Sequence, residues 1–153
     1  MKPSTYENSW ADAEAAIMRR LATATATELN KTAFVGEPGI VNAWWLEWGG
    51  IADGFAPLLV GDLFTMHLPA VITCQFLSRA AAQAWGMRVI AGLPANLSAD
   101  SNVTTLRVRN MGNLAPELVK IANETKEVRV WVLDITLDVV FETGGRANSG
   151  VEI

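Results

Sequence analysis

The sequence predicts an α+β fold, a mostly antiparallel twisted sheet with helices packed on one face, and three observations carry that reading. The stretch Val128–Glu142, VRVWVLDITLDVVFE, alternates with a period of two and is rich in β-branched and aromatic residues, the signature of a strand. Two segments, Trp10–Thr23 and Arg79–Ala91, place apolar side chains at helical spacing. The order along the chain is helix, irregular strands, strand pair, helix, strand, short helix, long strand. That order suits an antiparallel sheet with helices on one side.

At 153 residues the expectation is a single α+β domain over 1–153. Half the residues are hydrophobic and 18% are charged, enough apolar material for a substantial core. A net charge of −4 argues against nucleic-acid binding through an overall basic surface. The acid excess lies in residues 1–62, with four Lys/Arg against eight Asp/Glu, while residues 63–153 carry eight of each. The lone Cys74 lies in an apolar run and reads as a small buried hydrophobe. No run of apolar residues is long enough to span a membrane, and MKPSTYENS lacks a signal-peptide core. A chain made in a cytoplasm, with no membrane partner, is therefore expected.

In chain order, residues 1–8 read as a flexible lead. Ser9 is expected to cap the first helix, with Trp10, Ala13, Glu14, Ile17, Met18 and Leu21 along one side. Thr32–Val35 suits a short strand. Residues 36–61 read as a Trp-rich irregular insertion, because glycines and prolines surround IVNAWWLEW. Trp44, Trp45 and Trp48 there are either core or a candidate subunit interface, since Trp is favoured in interface cores. Asp62–Leu68 and Val71–Leu77 both alternate, and Pro69 between them predicts a bend, bulge or edge. Ser78 caps the second helix, and Gly92 and Pro94 stop it. Thr104–Arg109 reads as a strand with Arg107 and Arg109 on one face. Leu114, Leu118, Ile121 and Ala122 suggest a short helix with Pro116 in its first turn. The tail 143–153 reads as loosely ordered.

The sequence offers few groups suited to catalysis or metal binding. The single His67 and single Cys74 cannot supply a zinc site. As a nucleophile–base pair they are disfavoured, because Cys74 belongs to an apolar face. There is no Walker loop and no G-x-G-x-x-G between strand and helix. Asp134 and Asp138 share a strand face at about 13 Å, too far apart for a glycosidase pair. With Glu142 they form a candidate lumen or assembly face, and Arg107 and Arg109 could pair with them if the strands are neighbours. Val128–Glu142 would span about 50 Å, longer than a small core needs. These features predict no catalytic residues, no cofactor and no metal, and favour a structural subunit over an enzyme or a ligand-binding domain.

The layout resembles the tail terminator (tail completion, or minor tail) proteins of long-tailed bacteriophages. The resemblance rests on the opening helix Trp10–Thr23, on PAVITCQFLSRAAAQAWGMRVI from Pro69 to Ile90, and on the closing strand VRVWVLDITLDVVFE. It implies a virion structural protein, a homo-oligomeric ring, usually a hexamer. Such a ring caps the tail tube protein, joins it to the head connector or neck protein, and lets DNA pass without sequence readout. An acidic lumen would repel phosphates. A neck or head–tail adaptor shares the same layout.

Overall fold

The computed structural model describes residues 7–49, 54–60, 63–121 and 126–143, with residues 54–60, 63 and 64 described through their backbone. The elements are α1 (Ser9–Thr25), β1 (Ala33–Val35), β2 (Ala43–Trp48), β3 (Gly54–Val60), β4 (Leu63–Phe76), α2 (Arg79–Ala91), β5 (Val103–Met111), β6 (Ala115–Lys120) and β7 (Glu127–Thr143). Residues 1–6 of the expected lead and 144–153 of the expected tail lie outside the described residues, as does Ala122.

The strands join one seven-stranded sheet in the order β1-β2-β4-β7-β5, with β3 also on β4 and β6 also on β7. Among the named strands of the described residues, β1 and β2 pair parallel and the other pairings are antiparallel. The fold is α+β, as expected. In the centre β4 and β7 stay in register without interruption from Phe64 opposite Thr143 to Phe76 opposite Trp131. This pairing fixes the faces of the whole sheet, because side chains alternate along each strand. Leu68, Ala70, Ile72 and Cys74 of β4 stand beside Val139, Leu137, Ile135 and Leu133 of β7. Trp44 and Leu46 of β2 and Leu106 of β5 share that face. All belong to the core with Ile17 and Leu21 of α1 and Trp85 and Val89 of α2. Both helices therefore cover the same side of the sheet.

The helices follow the apolar stripes with small shifts. The N-cap of α1 is Asn8, without a side-chain cap bond, and Ser9 is buried as the first helical residue. Its carbonyl is held instead by Asn102 Nδ2 at 2.9 Å. The helix continues to Thr25, past the expected end, and Thr25 Oγ1 donates to Leu21 O. In α2 the expected cap is present, with Ala81 N donating to Ser78 Oγ at 3.2 Å. Its buried stripe is Ala82, Trp85, Gly86 and Val89. Gly86 permits close contact with the sheet, since a Cβ there would stand 2.8 Å from Leu133 Cδ2.

Three expectations are corrected. The stretch read as an irregular insertion contains β2 and β3. Within AWWLEW, Trp44, Leu46 and Trp48 point to the core while Ala43, Trp45 and Glu47 point away, so the tryptophans obey a strand period that the flanking glycines and prolines obscured. Pro69 does not interrupt its strand, and the register with β7 runs through it without a bulge. Its carbonyl accepts from Gly49 N at 2.8 Å, so its main-chain groups face the side where β2 ends and β3 begins. The missing N–H thus falls in a gap and removes no bond to β7. Finally, Ala115–Lys120 is a strand rather than a helix, antiparallel to Glu127–Val132. Six residues cannot nucleate a stable helix alone, whereas the edge of β7 beyond β5 offers a row of unpaired backbone groups. Leu118, expected on a buried stripe, is 63% exposed.

Candidate functional site

The sheet face opposite the helices gathers the polar residues of three strands. From β7 it carries Asp134, Thr136, Asp138, Val140 and Glu142. Opposite them on β4 stand Thr73, Val71, Pro69, His67 and Thr65. On the other flank β5 supplies Thr105, Arg107 and Asn110. The ladder between β5 and β7 shifts register between Val108 and Asn110, so Arg109 is the extra residue of a bulge. Bulges re-aim side chains, and here Arg109 reaches the same carboxylate as Arg107.

That carboxylate is Asp138, whose side chain is only 8% exposed. Arg107 donates from Nε at 3.1 Å and approaches with Nη2 at 3.0 Å, both to Oδ2. Arg109 Nε stands 3.7 Å from Oδ1. His67 Nε2 lies 3.8 Å from Oδ1 on the other side. A carboxylate withdrawn from water needs such partners, since an isolated buried charge is strongly unfavourable. Oδ1 and His67 Nε2 make no hydrogen bond among the described residues. The pairing of Arg107 and Arg109 with Asp138 follows the sequence expectation; the approach of His67 does not, because nothing in the sequence sets the register of β4 on β7.

The three acids expected as one row have different surroundings. Asp134 is exposed and accepts from Thr73 Oγ1 at 2.8 Å. Asp138 is buried and matched by two guanidinium groups. Glu142 is half-buried, and its backbone N–H donates to Asn102 O while its carbonyl accepts from Asn102 Nδ2. The middle of the face is therefore a buried acid approached by two arginines.

The tryptophans also differ from one another. Trp44 is fully buried in its own chain, with Nε1 donating to Thr27 Oγ1 at 2.9 Å. Trp45 is 6% exposed, on the opposite face. Trp48 is half-buried, donates from Nε1 to Glu14 Oε2 at 2.8 Å, and meets Trp10 edge to face with ring centres 5.6 Å apart. Trp10 is 47% exposed. Of the three residues proposed from sequence for an interface, only Trp48 adjoins an exposed aromatic surface. Trp10, expected on the buried side of its helix, supplies most of that surface.

Cys74 and His67 lie on opposite faces of β4, so they form no nucleophile–base pair. Burial pushes the Cys74 thiol up to about 12, which keeps it protonated and unreactive. Among the described residues no group of three or more His, Cys, Asp or Glu side chains is placed to hold a metal ion. A groove of about 320 Å³ runs between α2 and the junction of β5 and β6, lined by Gly86, Met87, Met111, Leu114 and Leu133 among others. No helix of the described residues is long and apolar enough to cross a membrane.

No protein-family model matches the chain, and no curated protein matches it in sequence. Among solved structures, a chain of the structure described as "Virion of native gene transfer agent (GTA) particle" is similar, with a TM-score of 0.43 and 17% identity, over 88% of this chain and 97% of that one.

Proposed function

We propose that the chain is a structural subunit of a virion, made in a bacterial cytoplasm, that works by assembling with copies of itself as a tail terminator. In this reading a ring, a hexamer by its resemblance, ends the tail tube, receives the head connector and lets DNA pass. The observation that carries it is the ribbon of β6 and β7. The register of β7 with β4 stops at Trp131, and residues 127–130 continue beyond it paired only to β6. The outer edge of β6 has no strand partner among the described residues, and Leu118 on it is 63% exposed. An open edge with an exposed large apolar side chain is a ready template for another chain. Met87 on α2, 64% exposed beside the groove, extends the apolar surface.

The experiment is light scattering and electron microscopy of the purified protein, alone and mixed with growing tail tubes. Closed rings that halt tube growth are expected. Leu118→Asp should reduce ring formation while leaving the thermal midpoint nearly unchanged. Rings that ignore the tube would redirect the reading to a neck adaptor. A strict monomer under both conditions would overturn self-assembly and favour a ligand-binding domain.

A further inference from the structure

We infer that Trp10 of one copy of the chain docks into the methionine-lined groove between α2 and the β5–β6 junction of a second copy. This rests on the reading of the chain as a self-assembling subunit, and it names the two surfaces that meet. They lie at opposite ends of the helix-covered side of the sheet. Trp10 packs on Trp48, whose ring centre lies 6.4 Å from that of Phe141, near one end of the pairing between β4 and β7. The groove has Leu133 in its lining, near the other end of that pairing. Leu133 to Phe141 along an extended strand is about 26 Å, so Trp10 does not reach the groove of its own chain. Two different patches set that far apart give a head-to-tail contact, which forms a ring when the rotation between copies closes.

The chemistry of the groove suits an aromatic side chain. Met87 and Met111 are 64% and 38% exposed there, and the lining holds no charged residue. Thioethers adapt their shape and favour contact with aromatic rings. The polar side chains of the lining are the amides of Gln83 and Asn113, whose oxygens suit the N–H that a buried indole brings with it. So few polar groups do not make the convergent set that orients a small molecule. Trp10 is the large aromatic that the described residues leave most exposed, and Trp is favoured where interfaces concentrate their energy. The rims also match in charge. The Arg79 guanidinium, one turn before Gln83, lies 5.6 Å from the centre of the Trp131 ring, and Arg129 stands on the same side of β7 as Trp131. Lys120 and Glu127 beyond them stand directly opposite each other and offset. On the other surface Glu7 precedes α1, and Glu14 follows Trp10 by one turn, held by Trp48 Nε1. Cations on one rim and acids on the other speed encounter and fix register more than they add affinity.

A directed cross-link in the full chain, alone and with tail tubes, tests the contact. Copies carrying Ala11→Cys, beside Trp10, are mixed with copies carrying Ala84→Cys, one turn before Met87, and treated with a short bifunctional maleimide. Both positions are exposed, and Cys74 is buried and protonated, so it does not compete. Linkage between the two variants is expected, and adding Trp10→Ala to the first should abolish it. In the chain without added cysteines, Trp10→Ala and Met87→Glu should each weaken subunit association about thirtyfold, read by sedimentation over a concentration series. Their thermal midpoints should stay nearly unchanged, because neither side chain is buried. Arg79→Glu should mainly slow association and reduce its salt dependence. Absence of the mixed link, or a mixed link that survives Trp10→Ala, overturns the docking. Linkage of Ala84→Cys to itself shows a two-fold contact through the groove and overturns it as well. If rings form without the mixed link, the inference fails while the assembly reading stands. If the mixed link forms but rings do not, the contact stands and the ring fails.

Discussion

On the helix side of β7, Leu133, Ile135, Leu137, Val139 and Phe141 are all buried against α1, α2 and their neighbours on β4 and β5. On the other side the same strand carries Asp134, Asp138 and Glu142, of which one is exposed, one buried and one half-buried. The first face is uniform because burying apolar area is non-directional, and every residue contributes about 1.5–3 kcal/mol simply by leaving water. The second is heterogeneous because a charge is tolerated only where a specific partner stands. Asp138 has two arginines from β5 and is buried; Asp134, two pleat repeats earlier on the strand, has a threonine hydroxyl and remains in water. The difference teaches that a row of like residues on a strand is not one feature. What each residue does depends on the strand next to it.

The comparison can be tested from both sides. The largest effect is expected on the apolar face. Ile135→Ala leaves a cavity at a fully buried position and should lower unfolding free energy by about 4 kcal/mol, read from the denaturant midpoint at constant m-value. On the polar face, Asp138→Lys places a third cation among Arg107, Arg109 and the buried strand surface. It should cost about 3 kcal/mol, and a smaller loss would mean the cluster opens to water. Next comes Cys74 on the apolar face. Below pH 9.0 its thiol is protonated in both states. As pH rises from 9.0 towards about 12, the unfolded chain releases the proton and the folded chain does not. Stability should thus fall by up to about 1.4 kcal/mol per pH unit in that window. The same titration of Cys74→Ala isolates this contribution, and identical slopes would show that the thiol is not shielded. The smallest effect is expected at Asp134. Asp134→Lys should shift stability by no more than about 0.5 kcal/mol, and a shift equal to that of Asp138→Lys would erase the distinction between the two acids.

Much of the frame was legible from alternation and caps. Val128–Glu142 became β7 within a residue of its limits, and Ser78 and Gly92 bracketed α2 as expected. Local patterns succeed there because β7 is apolar on one whole face and α2 begins with a side chain that satisfies its own first turn. They misled where pairing overrides local preference. Ala115–Lys120 has an apolar spacing compatible with a helix, and only the free edge of β7 makes it a strand. The tryptophans of β2 could not be divided by sequence into buried and exposed. Trp44 and Trp48 share a face, and what separates them is that Trp44 reaches Thr27 while Trp48 lies under Trp10.

For the polar site, the sequence by itself determined which residues share a strand face: Asp134 with Asp138, and Arg107 with the acids if their strands met. Period-two geometry is a property of the backbone and needs no neighbours. Only the tertiary structure decided that β5 lies beside β7 with Arg107 opposite Asp138, that a bulge brings Arg109 to the same carboxylate, and that His67 closes the other side. Register between strands distant in sequence is set by the packing of the whole sheet. That long-range choice turned an expected acidic wall into a buried acid carrying two arginines.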